Sequence, residues 1–156
     1  MAMVKEGKAA PDFTLPSSDG GDVSLKGLKG KTVVLYFYQK DDTPGCTREA
    51  CAFRDTQAAL KKKGAVVLGV SGDSLSAHEK FKAKYKLNFP LLSDPDKAVA
   101  KKYGAWGEMV MYGKKVTGMI RSTFVIDKEG VVKKVFPRVR VDGHAEKVLE
   151  ALSSLS

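Results

Sequence analysis

Apolar residues in this chain come in short runs separated by polar and turn-forming ones, and the runs alternate between strand-like and helix-like spacing. Residues 32–38 (Thr-Val-Val-Leu-Tyr-Phe-Tyr) read as a buried strand, rich in β-branched and aromatic side chains. A turn-forming loop follows at 39–45, and then an amphipathic helix running to about residue 60. A second strand is predicted at 65–71, a helix at about 76–85, a short strand near 89–92, and a helix around 97–103 behind the breaker Asp94-Pro95. The last third changes character. Residues 119–127 and 131–136, joined by Lys128-Glu-Gly130, read as an antiparallel hairpin, and a closing helix spans about 143–152. Alternating strands and helices predict an α/β fold with a mostly parallel central sheet. No internal repeat, linker or low-complexity segment interrupts the pattern.

At 156 residues the chain has the length of one domain, expected to span 1–156. Its 43% hydrophobic and 29% charged residues match a soluble globular protein. Every apolar run is far shorter than the roughly 20 residues that crossing a bilayer requires, so no membrane association is expected. Residues 1–8 carry no apolar segment after their charges, which predicts no export signal. Together with cysteines read as reduced, this predicts a cytoplasmic location, with a plastid or other organelle after processing as the alternative. The net charge of +9 raises the question of nucleic acid. The basic residues are dispersed, however, and the dense runs Lys61-Lys-Lys63 and Lys80/Lys82/Lys84/Lys86 fall at ends or outer faces of the predicted helices. No nucleic-acid motif accompanies them.

The candidate chemistry concentrates in Asp41-Asp-Thr-Pro-Gly-Cys-Thr-Arg-Glu-Ala-Cys51, where a strand ends and a helix begins. In an open α/β sheet, sites form outside the carboxyl ends of strands. A helix N-terminus there offers unpaired N–H groups and a positive dipole end. Cys46 falls in the first turn. Thiolate is the nucleophilic form of cysteine, and this position favours it, more so beside a cation. Pro44 presets the backbone for the helix start, and Gly45 lets a small ligand approach the main chain closely.

The chain holds two cysteines, spaced Cys46-x4-Cys51. If both lie on one helix they stand about 140° apart around it and about 8.6 Å apart between Cα atoms. A disulfide needs a separation below about 7 Å, so the pair can close only if the first turns unwind. Oxidation of Cys46 to a sulfenic acid, condensation with Cys51 and later reduction by an external dithiol is the mechanism this spacing permits. The alternative treats the cysteines as small buried hydrophobes, a reading that fits Cys51 better than Cys46. The spacing is not the two-residue spacing of a disulfide-exchange motif. Zinc is disfavoured, because His78 and His144 lack paired ligand spacing; both are expected on the surface. Glu49 reads equally well as a first-turn acid or as a partner for Arg48 or Arg121.

Over essentially its whole length the chain resembles peroxiredoxins of the peroxiredoxin Q type, also called bacterioferritin comigratory proteins. The resemblance rests on Ala10-Pro-Asp-Phe-Thr-Leu15, Lys40-Asp-Asp-Thr-Pro-Gly-Cys-Thr47, Tyr103-Gly-Ala-Trp-Gly-Glu108, Met111-Tyr-Gly-Lys-Lys115 and Gly118-Met-Ile-Arg-Ser-Thr-Phe-Val-Ile-Asp127. It implies a thioredoxin-like α/β fold whose central mixed β-sheet is flanked by helices. It further implies a thiol peroxidase acting on hydrogen peroxide and organic hydroperoxides. Cys46 is then the peroxidatic cysteine, Thr43 a hydrogen-bonding partner of the peroxide, and Arg121 the group that steadies the thiolate and transition state, with Gly45 also contacting substrate. Cys51 is the one candidate within the chain for a resolving cysteine. Without the resemblance, Thr43 reads equally as a helix cap and Arg121 as a strand-surface charge. The implied reductant is thioredoxin or a glutaredoxin-like dithiol protein. No cofactor or metal is implied, and a monomer is expected.

Where the family pattern has a proline that shields the cysteine, this chain has Gln39, which is expected to loosen the shield or move the loop. The alternative readings are a one-cysteine peroxidase with a structural Cys51 and a non-turnover redox-sensing or holdase module on the same fold. Trp106 and Phe37 are expected in the core or as walls of the cysteine pocket.

Overall fold

The computed structural model describes residues 3–155. Two β-hairpin strands come first, β1 (Thr14–Pro16) and β2 (Asp22–Ser24), followed by the core strand β3 (Thr32–Phe37). The chain continues through α1 (Pro44–Lys62), β4 (Ala65–Ser71), α2 (Leu75–Tyr85), β5 (Leu91–Ser93) and α3 (Ala98–Tyr103). A second hairpin, β6 (Trp106–Met111) with β7 (Lys114–Met119), leads to β8 (Ser122–Ile126), β9 (Val132–Phe136) and the closing helix α4 (His144–Leu155).

The five-stranded sheet has the order β5-β4-β3-β8-β9. β3 pairs in parallel with β4 and β4 with β5, whereas β8 runs antiparallel to both β3 and β9. The sheet is therefore mixed. The mostly parallel sheet read from the strand–helix alternation is corrected here, because the last two strands join through a hairpin and not through a crossover helix.

β3 sits at the centre, and its side chains alternate between two apolar layers. Val33, Leu35 and Phe37 face a cluster with Phe13, Leu15, Val99, Tyr103, Ala105 and Phe124. Val34, Tyr36 and Tyr38 face the other, with Ala50, Phe53 and Leu60 of α1, Phe81 of α2, and Val148 and Leu152 of α4. Burial on both faces explains why the strand reads as a continuous apolar run with no polar alternation. Cys46 belongs to the second layer, under α1.

Two departures from the sequence reading bear on the site. The strand expected over 119–127 is broken. Met119 ends β7, which pairs with β6 away from the main sheet, and Ser122 starts β8 beside β3. Ile120 and Arg121 form the crossing between them, so Arg121 lies at a corner and not along a strand. The β6–β7 hairpin itself carries no Asn-Gly signal. Its turn is Tyr112-Gly113, both at positive φ (53° and 77°), a conformation that glycine adopts freely and tyrosine rarely.

Gly69 on β4 shows how tightly the second layer is filled. A Cβ there would stand 2.9 Å from the Tyr36 ring and 3.0 Å from Leu91 Cδ2. Tyr36 in turn stacks on Phe53 with ring centroids 4.8 Å apart. Gly69→Ala is expected to cost about 1–3 kcal/mol by overpacking, measured by denaturant titration; a cost below about 0.5 kcal/mol, within the range of surface changes, would show that the Tyr36 ring moves aside freely.

Candidate functional site

The carboxyl end of β3 delivers the chain into the loop 39–43, and two consecutive aspartates pin that loop. Asp41 is buried: its backbone N–H donates to Asp73 Oδ2 (2.9 Å), and its side chain accepts from Tyr38 Oη (2.5 Å). Its other carboxylate oxygen lies 2.6 Å from His78 Nδ1. His78 Nε2 donates to the Leu92 carbonyl (2.9 Å), so one imidazole links the loop to α2 and β5. Asp42 adopts a left-handed conformation (φ 58°), which aspartate tolerates better than most residues. It accepts hydrogen bonds from Lys84 Nζ and Tyr85 Oη, each at 2.7 Å.

His78 is thus fully buried, and His144 is 4% exposed, against the expectation of surface positions for both. His144 Nε2 lies 2.8 Å from Thr123 Oγ1, with the rings of Phe53 and Phe136 edge-on to it. Burial pushes this imidazole down to about 4. The signal was present in the sequence: His78 precedes Phe81 by three residues, and His144, Val148 and Leu152 recur at helical spacing. Asp41, Asp73 and His78 bring ligand-type atoms within 4.8 Å of one another. Donors already engage them, since Asp73 Oδ2 also accepts from Ser71 Oγ (2.6 Å), and the cluster acts as a hydrogen-bonded anchor.

α1 begins at Pro44 with Thr43 extended at its N-cap (φ −98°, ψ 154°). The Thr43 hydroxyl does not cap the helix. It donates to the Lys40 carbonyl (2.8 Å) and tightens the loop instead. Cys46, in the first turn, is 2% exposed. Arg121 Nη2 points at its Sγ from 3.3 Å. The same guanidinium donates through Nη1 to Glu49 Oε1 (2.6 Å) and through Nη2 to Gln39 Oε1 (2.7 Å). Gly45 makes room for it: a Cβ there would lie 3.2 Å from Arg121 Nη2. The close approach anticipated at Gly45 is therefore made, within the protein, by the arginine.

Of the sequence-predicted residues, Cys46, Gly45 and Arg121 come together, with Thr43 on the same loop. Cys51 does not. It is a free, half-buried thiol further along α1, so both cysteines share one helix, as the spacing argument required. Phe37 and Trp106 fall in the apolar layer on the other face of the sheet, so they do not wall the cysteine. The buried aromatic residues of its own layer are Tyr36, Tyr38, Phe53, Phe81 and Phe89.

Sequence reasoning left Glu49 undecided and treated Gln39 as a loosened shield; both prove to be contact residues. Glu49 is 2% exposed and holds Arg121, while Arg48 pairs with Asp142 at the surface. Gln39 fills the space beside the sulfur and leaves it covered. Only their folded positions bring them to Arg121, 82 and 72 residues away along the chain.

Comparisons with known proteins show what the whole chain is similar to. The family model described as AhpC/TSA family matches residues 6–135. A putative peroxiredoxin bcp of Coxiella burnetii is 54% identical over 149 residues, which cover 96% of this chain and 99% of that one. A chloroplastic peroxiredoxin Q of Oryza sativa subsp. japonica is 46% identical over 153 residues, covering 97% of this chain and 68% of that one. Among solved structures, a Xylella fastidiosa PrxQ mutant superposes with a TM-score of 0.92 at 34% identity, covering 99% of both chains. The Xanthomonas campestris bacterioferritin comigratory protein, described for its alkyl peroxide reduction activity, gives 0.86 at 42% identity, covering 92% of this chain and 91% of that one. No helix among the described residues is long and apolar enough to cross a membrane.

Burial pushes the Glu49 carboxyl up to about 7, against the pull of Arg121, and its Oε2 has no hydrogen-bond partner among the described residues. A carboxyl raised in the folded state contributes stability that is full below its unfolded value near 4.5 and is lost as pH rises through 7. The change between pH 4.5 and 8 has a ceiling of about 3 kcal/mol. Glu49→Gln should remove this slope. Urea titrations of both proteins at several pH values, taken as a difference, cancel the opposite slope that His144 contributes between 6.5 and 4; parallel curves would place the titration elsewhere.

Proposed function

This chain belongs to the AhpC/TSA family, among peroxiredoxins of the bcp and Q type, and is a thiol peroxidase; on that premise we propose that Cys46 is its peroxidatic cysteine. The observation that carries the assignment is the Arg121 guanidinium, 3.3 Å from Sγ at the first turn of α1. Cation and helix dipole both favour the thiolate there.

The thiolate attacks one oxygen of the peroxide: an S–O bond forms, the O–O bond breaks, and sulfur becomes a sulfenic acid. The leaving oxygen takes a proton and departs as water or alcohol. Arg121 offsets the negative charge that grows on that oxygen and stays charged throughout. The Thr43 hydroxyl, donating to Lys40 O, keeps lone pairs free to accept from a peroxide O–H. Gly45 and Cys46 add backbone N–H donors at the helix start.

Cys51 resolves the sulfenic acid. Its sulfur attacks that of Cys46, the S–S bond forms, and the hydroxyl leaves as water with the thiol proton. The two positions on one helix require the first turns of α1 to unwind for this step. Hydrogen peroxide and small organic hydroperoxides are the substrates, the latter supported by the alkyl peroxide reduction of the Xanthomonas campestris relative. Thioredoxin or a similar dithiol protein is the reductant, the working unit is a monomer, and the compartment is the cytoplasm, with a plastid as the alternative that the chloroplastic relatives support.

The test is the mass and free-thiol count after one equivalent of hydrogen peroxide, on reduced wild type and Cys51→Ser. Wild type should lose both thiols and two hydrogens in mass, and the variant should hold a sulfenic acid at Cys46. A sulfenic acid that persists in wild type would favour the one-cysteine route, and no reaction would favour a module without turnover. Arg121→Ala should slow peroxide attack by about 10²-fold, the scale of losing one preorganised donor, read by stopped-flow oxidation; an unchanged rate would take Arg121 out of the mechanism.

A further inference from the structure

Gln39 touches the sulfur as well as the arginine. Its amide Nε2 donates to the Met119 carbonyl (3.3 Å), and its Oε1 accepts from Arg121 Nη2 (2.7 Å). Turning the amide over would set donor against guanidinium donor and oxygen against carbonyl oxygen, so its orientation is fixed by its partners. The oxygen is thereby held 3.6 Å from Cys46 Sγ, where the thiol donates to it. One guanidinium nitrogen consequently serves two acceptors, the amide oxygen at 2.7 Å and the sulfur at 3.3 Å.

This arrangement sets Gln39 against Arg121. A thiol has a proton to give to the amide oxygen; a thiolate has none and faces that oxygen's partial negative charge. The amide also draws on the nitrogen whose two N–H groups the thiolate would otherwise have to itself. Once the sulfur is oxidised, the sulfenic hydroxyl is again a donor beside the same acceptor.

We propose that Gln39 tunes the reacting sulfur directly: its fixed amide oxygen favours the protonated thiol before attack and accepts from the sulfenic hydroxyl after it. Position 39 therefore sets both the pH range of peroxide attack and the lifetime of the sulfenic acid in the folded site. This rests on the reading of Cys46 as the peroxidatic cysteine. Of the other ionisable groups around the sulfur, Arg121 stays charged and Tyr36 is pushed well above 10 by burial, so neither titrates near neutrality. Glu49 at about 7 does, and His144, down at about 4, lies within reach of the Arg121 charge; both are common to every variant compared.

The experiment follows thiolate absorbance at 240 nm from pH 4 to 10 in the Cys51→Ser chain, where Cys46 is the only cysteine left. Gln39→Leu removes the acceptor and should move the half-maximal pH down by about 0.5–1 unit; Gln39→Glu keeps an acceptor, adds charge and should move it up by a similar amount, on the scale of neighbouring-group effects. In the chain with Cys51 intact, dimedone trapping should find the sulfenic acid of Gln39→Leu several-fold shorter-lived than that of wild type. Midpoints that stay put, or that move in the same direction for both variants, overturn the proposal, since a merely structural role predicts no opposed signs. Circular dichroism checks the fold of each variant, and Gln39→Met, of similar length with a weak acceptor, replaces Gln39→Leu should that one misfold. The absorbance needs no peroxide: opposed shifts in a chain that fails to consume peroxide would sink the peroxidase assignment alone, and normal consumption with unmoved midpoints would sink this one alone.

Discussion

The site depends on a guanidinium brought inside the protein. The Arg121 side chain is 15% exposed, and a cation at that depth is tolerated only where its donors are matched by acceptors. Glu49 supplies a carboxylate, Gln39 an amide oxygen and Cys46 its sulfur. Each constrains a different part of the fold. Glu49 and Cys46 lie one helical turn apart, so the arginine reads the first turns of α1 as a unit. Gln39 ties it to the end of β3, and the corner between β7 and β8 at 120–121 turns it toward the helix. A side chain on Gly45 would crowd the guanidinium, its Cβ 3.2 Å from Nη2, and push it by a few tenths of an ångström.

The loop that carries Gln39 is held from the opposite side. Asp41 and Asp42 fasten it to α2 through His78, Lys84 and Tyr85, and to the loop after β4 through Asp73. These contacts end before the helix starts. Thr43, whose hydroxyl folds back on Lys40, closes the pinned segment, and beyond it the start of α1 is held by the Arg121 cluster, by the surface pair Arg48–Asp142 and by the packing of Cys46 and Ala50 in the second layer. The geometry thus separates a loop pinned by its aspartates from a helix start held in part by the groups that serve the chemistry.

Much of this was legible in the sequence, and the residues show why some was not. The strand at 65–71 was placed to the residue, because β-branched runs bounded by turns leave few alternatives. Cys46 stood out by its position at a strand-to-helix junction, whereas Arg121 was visible only through the resemblance, since nothing local distinguishes it from a surface charge. The mixed sheet came from the resemblance too, alternation alone having suggested parallel strands. Gln39 and Glu49 acquire meaning through a partner more than 70 residues away, which no local pattern encodes. The two histidines were misjudged for a different reason: polarity was weighed above the apolar helical stripes on which both lie. Tyr112 hid the second hairpin by standing where asparagine usually signals the turn.

Burial of the sulfur leads to one more step. At 2% exposure Cys46 lies too deep for the active site of a dithiol protein to reach. On the proposed two-cysteine route the oxidised sulfur has to leave this pocket to meet Cys51, about 140° around the helix. Unwinding the first turn performs both tasks, for it brings the sulfurs within bonding range and exposes the disulfide to its reductant. Among the contacts opposing that motion are those that Arg121 makes with Cys46 and Glu49 and the one that Cys46 makes with Gln39, which Arg121 in turn holds. Oxidation weakens one of them, since a neutral sulfenic acid attracts the guanidinium less than a thiolate does. The cluster that assembles the nucleophile therefore loosens its own hold once the sulfur has reacted, and how far it loosens depends on the two partners that do not change, Glu49 and Gln39.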